Sequence, residues 1–194
     1  LGLAEYLADE VADPELEAQA ARLRAKADTV ASLTEKAKQI EDLVGRRDTA
    51  VETTDLVPLL TDTVADLRAA HPEAEITVDA PETARVKCSA EIERAVVELV
   101  ENAVEHGSTP RVRITVDTDW PGEITIAVRD DGPGIPDEEW ETVVGDADIT
   151  QLNHGTGLGL WLTRWIVESF DGTLRREGGD DGAAVVIGLR ESEE

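Results

Sequence analysis

Three short stretches of this chain combine residue types whose spacing suits nucleotide chemistry. The first runs from Glu98 to His106 and reads Glu-Leu-Val-Glu-Asn-Ala-Val-Glu-His. Asn102 lies one helical turn beyond Glu98. Its carboxamide oxygen is a hard, neutral ligand of the kind Mg²⁺ accepts while keeping waters and bridging to phosphates. Glu98 can orient or deprotonate a nucleophile beside such an ion. The competing reading is a solvated acidic face on a surface helix, and the helix taken alone favours it. The second stretch is Asp130-Asp131-Gly132-Pro133-Gly134-Ile135-Pro136, directly after an alternating strand pattern. Its glycines permit positive φ and close backbone approach, and its prolines stiffen the loop. A carboxylate at the strand end can accept a hydrogen bond from an exocyclic amine such as that of adenine. An ordinary tight turn is the alternative, because Asp-Gly is a common turn pair. The third is His154-Gly155-Thr156-Gly157-Leu158-Gly159-Leu160, which opens a helical pattern. Glycines at a helix mouth leave N–H groups free to cradle phosphate, and the helix dipole favours the anion. The dinucleotide fingerprint does not fit, since its third glycine would fall at Leu160 and no strand leads in. The Gly-Lys-Ser/Thr of a phosphate loop is missing too. The alternative here is a hinge before a helix, with Leu158, Trp161, Leu162 and Trp165 as core contacts.

These residues need elements to hold them. Ser89 is a helix cap, and the pattern predicts a helix from there to about His106. Ile92, Val96, Leu99, Val100 and Ala103 share the face that must lie on a sheet. Glu91, Arg94, Glu98, Glu101 and Glu105 share the opposite, acidic face. An amphipathic helix is predicted over Asp55 to Ala70, and short strands over Ile76 to Asp79 and Arg85 to Cys88. Arg111 to Asp117 and Glu123 to Arg129 alternate as strands joined by a Trp120-Pro121-Gly122 turn. An irregular stretch follows the Asp130 loop; then come a helix from about Thr156 to Phe170 and strands near 173–176 and 183–189. Helices mixed with mostly hairpin-joined strands predict an α+β fold with its helices on one sheet face.

Residues 49–54 read as a polar, Thr-rich link, and residues 1–48 as helical. Asp13 and Pro14 break the helical run, as N-cap and first helical residue. Beyond them Leu16, Ala20, Leu23, Ala27, Val30, Ala37 and Val44 step by fours and threes like a heptad seam, with Thr34 and Glu41 between. An isolated Ala-rich hairpin has little to bury, so a homodimeric four-helix bundle is favoured over a helix packed on the second domain.

The chain has 194 residues, with 43 Asp and Glu against 18 Lys and Arg, for a net charge of −25. Nucleic acid and anionic membrane surfaces are excluded as partners of so acidic a chain. Apolar runs such as Ala183 to Ile187 are too short to cross a bilayer, and no signal-peptide pattern opens the chain. The single Cys88 cannot form an internal disulfide, which fits a reducing cytoplasm, and no Cys/His cluster suits zinc. Acids spread along the whole chain repel one another, and dissolved salt screens that repulsion. A salt-rich cytoplasm is therefore the expected setting.

An acidic helix with Asn102, then Asp130-x-Gly132-x-Gly134 after a strand, then Gly155-x-Gly157-x-Gly159 before a helix, resembles the ATP-binding domain of sensor histidine kinases. That superfamily also holds type II topoisomerase, heat-shock chaperone and mismatch-repair ATPases. The resemblance covers about residues 52–190. It implies a two-layer α/β sandwich with a mixed sheet over residues 55–194, behind a helical dimerisation and phosphotransfer hairpin over residues 1–48. By resemblance, Asn102 is the Mg²⁺ ligand, Asp130 reads adenine, and Gly132, Gly134 and Ile135 shape the adenine loop. His154, Gly155, Thr156, Gly157, Leu158 and Gly159 border the phosphates, and residues 137–154 form a lid. Three departures stand out. Glu98 occupies a position where these kinases often have Asn and the hydrolytic ATPases have Glu. Glu105 stands where a basic residue is common, so His106 either faces phosphate or simply ends the helix. Trp140 is the lid's lone aromatic. The implied cofactors are ATP and Mg²⁺, and the implied partner is a response regulator. The phosphoacceptor His is expected upstream of Leu1, because His71, His106 and His154 all lie elsewhere in the pattern. A conformational ATPase and a non-catalytic nucleotide-binding dimer are the alternatives.

Overall fold

A computed structural model describes residues 19, 22–24, 51–106, 111–145, 157–178, 182 and 184–192. The chain divides into two units, Leu1–Arg47 and Asp48–Glu194. In the first unit Gln19 and Arg22–Arg24 are helical, and Leu23 is exposed. The rest of the expected hairpin and its seam lies outside the described residues.

The second unit runs β1 (Glu52–Asp55), α1 (Leu56–Ala70), β2 (Glu75–Asp79), β3 (Arg85–Cys88), α2 (Ile92–His106), β4 (Arg111–Trp120), β5 (Glu123–Asp130), α3 (Asp137–Val144), α4 (Gly157–Glu168), β6 (Thr173–Glu177) and β7 (Ala184–Arg190). Five strands form one sheet in the order β2-β4-β5-β7-β6. The β2–β4 pair is parallel and the other three are antiparallel, so the sheet is mixed. Period-two alternation sends Val112, Ile114, Val116, Ile124, Ile126 and Val128 to one face. There they meet the helices through fully buried Leu60, Ile92, Val96, Leu162 and Ile166. No described helix covers the other face.

Local chemistry explains the element ends. The Asp55 Oδ1 accepts from the backbone N–H of Val57, at 3.1 Å, and from that of Ala84, also at 3.1 Å. One carboxylate thus caps α1, a contribution of about 1 kcal/mol, and fixes the entry to β3. Gly122 turns the β4–β5 hairpin at φ +78°, in the left-handed region open to glycine.

The structure departs from the sequence reading in four places. The Thr-rich link is a strand over Glu52–Asp55, paired antiparallel with β3 from Glu52↔Cys88 to Asp55↔Arg85. β4 continues three residues past Asp117 to Trp120, across a register irregularity. Ser89 caps a single turn, accepting from Glu91 N–H at 3.3 Å, so the regular helix starts only at Ile92. The first half of the stretch expected to be irregular and lid-like, Asp137–Val144, is a helix.

Candidate functional site

A cavity opens between α2, the end of β5 and the loop behind it. Its floor is apolar and comes from Leu99, Ala103, Val128, Leu160 and Val185. Asn102 and His106 rim it on one side, and Asp130, Pro133, Gly134 and Ile135 on the other. Two of the three predicted stretches thus converge from positions about thirty residues apart in the chain, and the third contributes Leu160. An apolar slot with a few convergent polar groups is the usual form of a small-molecule site.

Each wall has a physical cause. Leu99 and Ala103 face the sheet by helical spacing, which turns Asn102 to the rim, half-buried, and leaves His106 exposed. Asp130 ends β5, and its Oδ1 accepts from Gly132 N–H at 2.8 Å. A Cβ on Gly132 would stand 2.8 Å from that same oxygen, so a larger residue there would push the Asp130 carboxylate aside. Gly134 follows with φ +80°. Arg176 of β6 then holds the loop in place. Its Nη1 donates to the Ile135 carbonyl at 2.7 Å, its Nη2 pairs with Asp137, and the guanidinium lies 5.7 Å from the Trp140 ring centre. Trp140, the lone aromatic of the expected lid, is thus engaged with Arg176.

Asp131, the neighbour of Asp130, is clamped from behind. It accepts from Arg111 N–H at 3.2 Å and from Arg111 Nε at 2.8 Å. The backbone bond first, and then the guanidinium, hold its carboxyl below the usual carboxylate range. A depressed pKa makes this clamp intact above the ordinary value and lost as pH falls through the lowered one.

Glu98 requires a correction. The helical wheel put it on a solvated face, yet it is buried at 8% exposure and does not line the cavity. α2 is packed by α1 and α4 as well as by the sheet, so more than one of its faces is covered. Leu158 and Leu162 are buried as expected, whereas Trp161 and Trp165 are only half-buried. Gly157 begins α4 and Gly159 lies buried in its first turn. His154, Gly155 and Thr156 lie outside the described residues, as does the second half of the expected lid. Burial raises the pKa of the Cys88 thiol, which is therefore neutral at physiological pH.

Sequence reasoning missed four supporting residues. Arg111 and Arg176 are described above. Thr163 is fully buried, and its hydroxyl donates to the Gly159 carbonyl at 2.9 Å. Arg164 Nη1 donates to the carbonyls of Val143 and Gly145, at 2.6 and 2.7 Å, and so closes the C-terminal end of α3. Arg164→Ala should free that end while leaving the core intact. Hydrogen exchange at 141–145 should rise about tenfold or more, since two charge-assisted bonds are lost. Unchanged protection there would show that α3 is held by its other contacts.

The family model for histidine kinase-, DNA gyrase B- and HSP90-like ATPases matches residues 88–193. The sensor-type histidine kinase PrrB of Mycobacterium leprae (strain TN) is 31% identical over 136 residues, which is 69% of this chain and 30% of that protein. The probable sensor histidine kinase TcrY of Mycobacterium tuberculosis (strain ATCC 25618 / H37Rv) is 28% identical over 170 residues, 84% of this chain and 36% of that one. The chain thus spans about a third of the length of these relatives. Among solved structures, the histidine kinase ThkA in complex with the response regulator TrrA shares the fold at TM-score 0.69 and 21% identity, over 98% of this chain and 56% of that one. The mycobacterial sensor histidine kinase MprB does so at TM-score 0.59 and 23% identity, over 73% and 97%.

Proposed function

Because the chain belongs to the histidine kinase-, DNA gyrase B- and HSP90-like ATPase family, we propose that it is the catalytic end of a sensor histidine kinase. ATP enters the cavity base first. Asp130 accepts from the adenine amine, and the Gly132–Gly134–Ile135 loop flanks the ring. His106, His154 and the stretch Gly155-Thr156-Gly157-Leu158-Gly159 border the phosphates. The γ-phosphoryl passes in line to a histidine of a dimerisation helix, and from there to an aspartate of a response regulator. Residues 1–48 form the dimerising hairpin of a homodimer. The single observation that carries the reading is that Asn102 and Asp130 line one and the same largely apolar cavity.

The donor set suits Mg²⁺. Among the described residues no group of three or more His, Cys, Asp or Glu could hold a metal by itself. One carboxamide at the rim matches an ion that takes its remaining ligands from nucleotide phosphates and water. Asn102 would hold that ion, which supplies charge neutralisation at the transferred group. Asn102→Ala should weaken Mg·ADP binding about tenfold or more and change metal-free ADP binding little. Equal losses, read by calorimetry, would make Asn102 a structural residue only.

The decisive experiment uses the protein extended to include an acceptor helix. With labelled ATP and Mg²⁺ it should yield acid-labile, base-stable phosphoprotein. Free phosphate without phosphoprotein would favour a hydrolytic ATPase, and bound nucleotide with neither product would favour a regulatory module. The ATPase alternative rests on Glu98, which lies outside the cavity lining.

A salt-rich cytoplasm is the proposed setting, on the net charge of −25. Among the described residues no helix is long and apolar enough to cross a membrane. The melting temperature should climb steadily as KCl rises from about 0.1 M to about 3 M, because screening shortens the reach of self-repulsion. A flat profile would remove the salt argument.

A further inference from the structure

The sheet face away from the helices runs against the composition of the chain. In a protein of net charge −25, this face carries Arg111 and Arg113 on β4 and Arg129 on β5, all exposed. Arg113 stands directly opposite Arg129 in the antiparallel register. Like charges placed opposite each other across a strand pair destabilise it, so folding does not explain the arrangement. Arg111 uses Nε on Asp131, and Arg129 uses Nη2 on Glu177. Each guanidinium has five N–H donors, so each keeps others free for a ligand. Arg113 has no ion-pair partner among the described residues. The three arginines and Thr77, which neighbours Arg113 across the β2–β4 pair, line one pocket of about 350 Å³.

We propose that this pocket is a second anion site, sharing only Asp130 with the nucleotide cavity, that takes a phosphate group. Cross-strand neighbours lie about 5 Å apart, and next-but-one residues of a strand about 7 Å. The three guanidinium stems therefore form a compact triangle, which suits one tetrahedral dianion better than an extended acidic peptide. Planar guanidinium forks match phosphate oxygens two at a time. The carboxylates of Glu75, Asp130 and Asp131 also line the pocket. They offset the arginine charge, so binding here rests on the directional guanidinium donors rather than on net charge. The phosphate is either free or the head of a small phosphate monoester.

The test is a titration of the whole chain at constant ionic strength in KCl, with Arg Nε–H signals followed by NMR. Inorganic phosphate and glycerol 2-phosphate are the two probes. Saturable shifts at Arg111, Arg113 and Arg129 with either probe support the site, and a tighter response to the ester identifies an esterified ligand. Arg113→Gln should weaken binding about tenfold or more. Its melting temperature should hold or rise, because the opposed cations are gone; a structural arginine would lower it. Asn102→Ala, which tests the nucleotide site and lines that cavity alone, should leave phosphate binding in place, so the two readings fail independently. Linear, non-saturating shifts would overturn the proposal. So would equal affinity in Arg113→Gln, or a response abolished by saturating ADP.

Discussion

Asp130→Asn is expected to cut ADP affinity about a hundredfold or more while leaving the fold and its melting temperature in place. The reasoning follows the two oxygens of one carboxylate. Oδ1 accepts from Gly132 N–H and shapes the loop. An asparagine keeps that acceptor and therefore keeps the turn. Its amide nitrogen replaces the second oxygen, so a donor would face the exocyclic amine of adenine, itself a donor. A hydrogen bond to a charged acceptor contributes about 1.5–3 kcal/mol, and leaving its partner unsatisfied adds to that loss. Each 1.4 kcal/mol is about tenfold in affinity. Calorimetry with ADP, paired with circular dichroism, reads both halves of the prediction. Affinity within about threefold of the native protein would mean that Asp130 serves only the turn. A guanine nucleotide presents a carbonyl where adenine presents the amine, so the variant should also lose discrimination against it.

The second large effect lies behind the same residue. Gly182 sits at φ +127° against the backbone of Asp130 and Asp131. A Cβ there would collide with the Asp130 carbonyl oxygen and approach the Asp131 Cα to 3.4 Å. Both neighbours are backbone, at the end of a strand paired on both sides, so neither can yield as a flexible side chain would. Gly182→Ala combines a disfavoured φ with overpacking, together about 3–5 kcal/mol. For a domain of this size that lowers the melting temperature by roughly 10 °C. ADP affinity should fall with it, because the strain is delivered at the carboxylate proposed to read adenine. A melting temperature within about 2 °C of the native value would show that the backbone at Gly182 can move aside.

Much of this was readable from residue order, and the exceptions share a cause. α1 and β3 fall where the amphipathic pattern and the short alternation put them, because each buries one face against one neighbour. Asn102 and Asp130 meet because their elements are strongly periodic and a single core aligns them. What escaped depends on distant partners. Glu52–Asp55 has no apolar alternation, and its strand exists only because β3 pairs with it. Asp137–Val144 offers just Trp140, Val143 and Val144 as large apolar residues among its acids. It is held by Arg164 and Arg176, twenty and more residues further on. Glu98 looked solvated because a helical wheel assumes one covered face, whereas α2 is flanked on several. The phosphate-side glycines were recognised as a motif, but only Gly157 and Gly159 fall among the described residues.

The way the chain enters and leaves the catalytic unit has a mechanical consequence. β1 is zipped to β3, the Thr53 and Ser192 hydroxyls lie 2.9 Å apart, and Ser192 N–H donates to the Arg85 carbonyl at 2.8 Å. Entrance, exit and β3 are thus riveted together at one spot. β3 passes within a few residues, by way of Ser89, into the helix that bears Asn102. A torque applied to the polypeptide ahead of Glu52 is therefore borne by paired strands that lead directly into the helix whose Asn102 and His106 line the cavity.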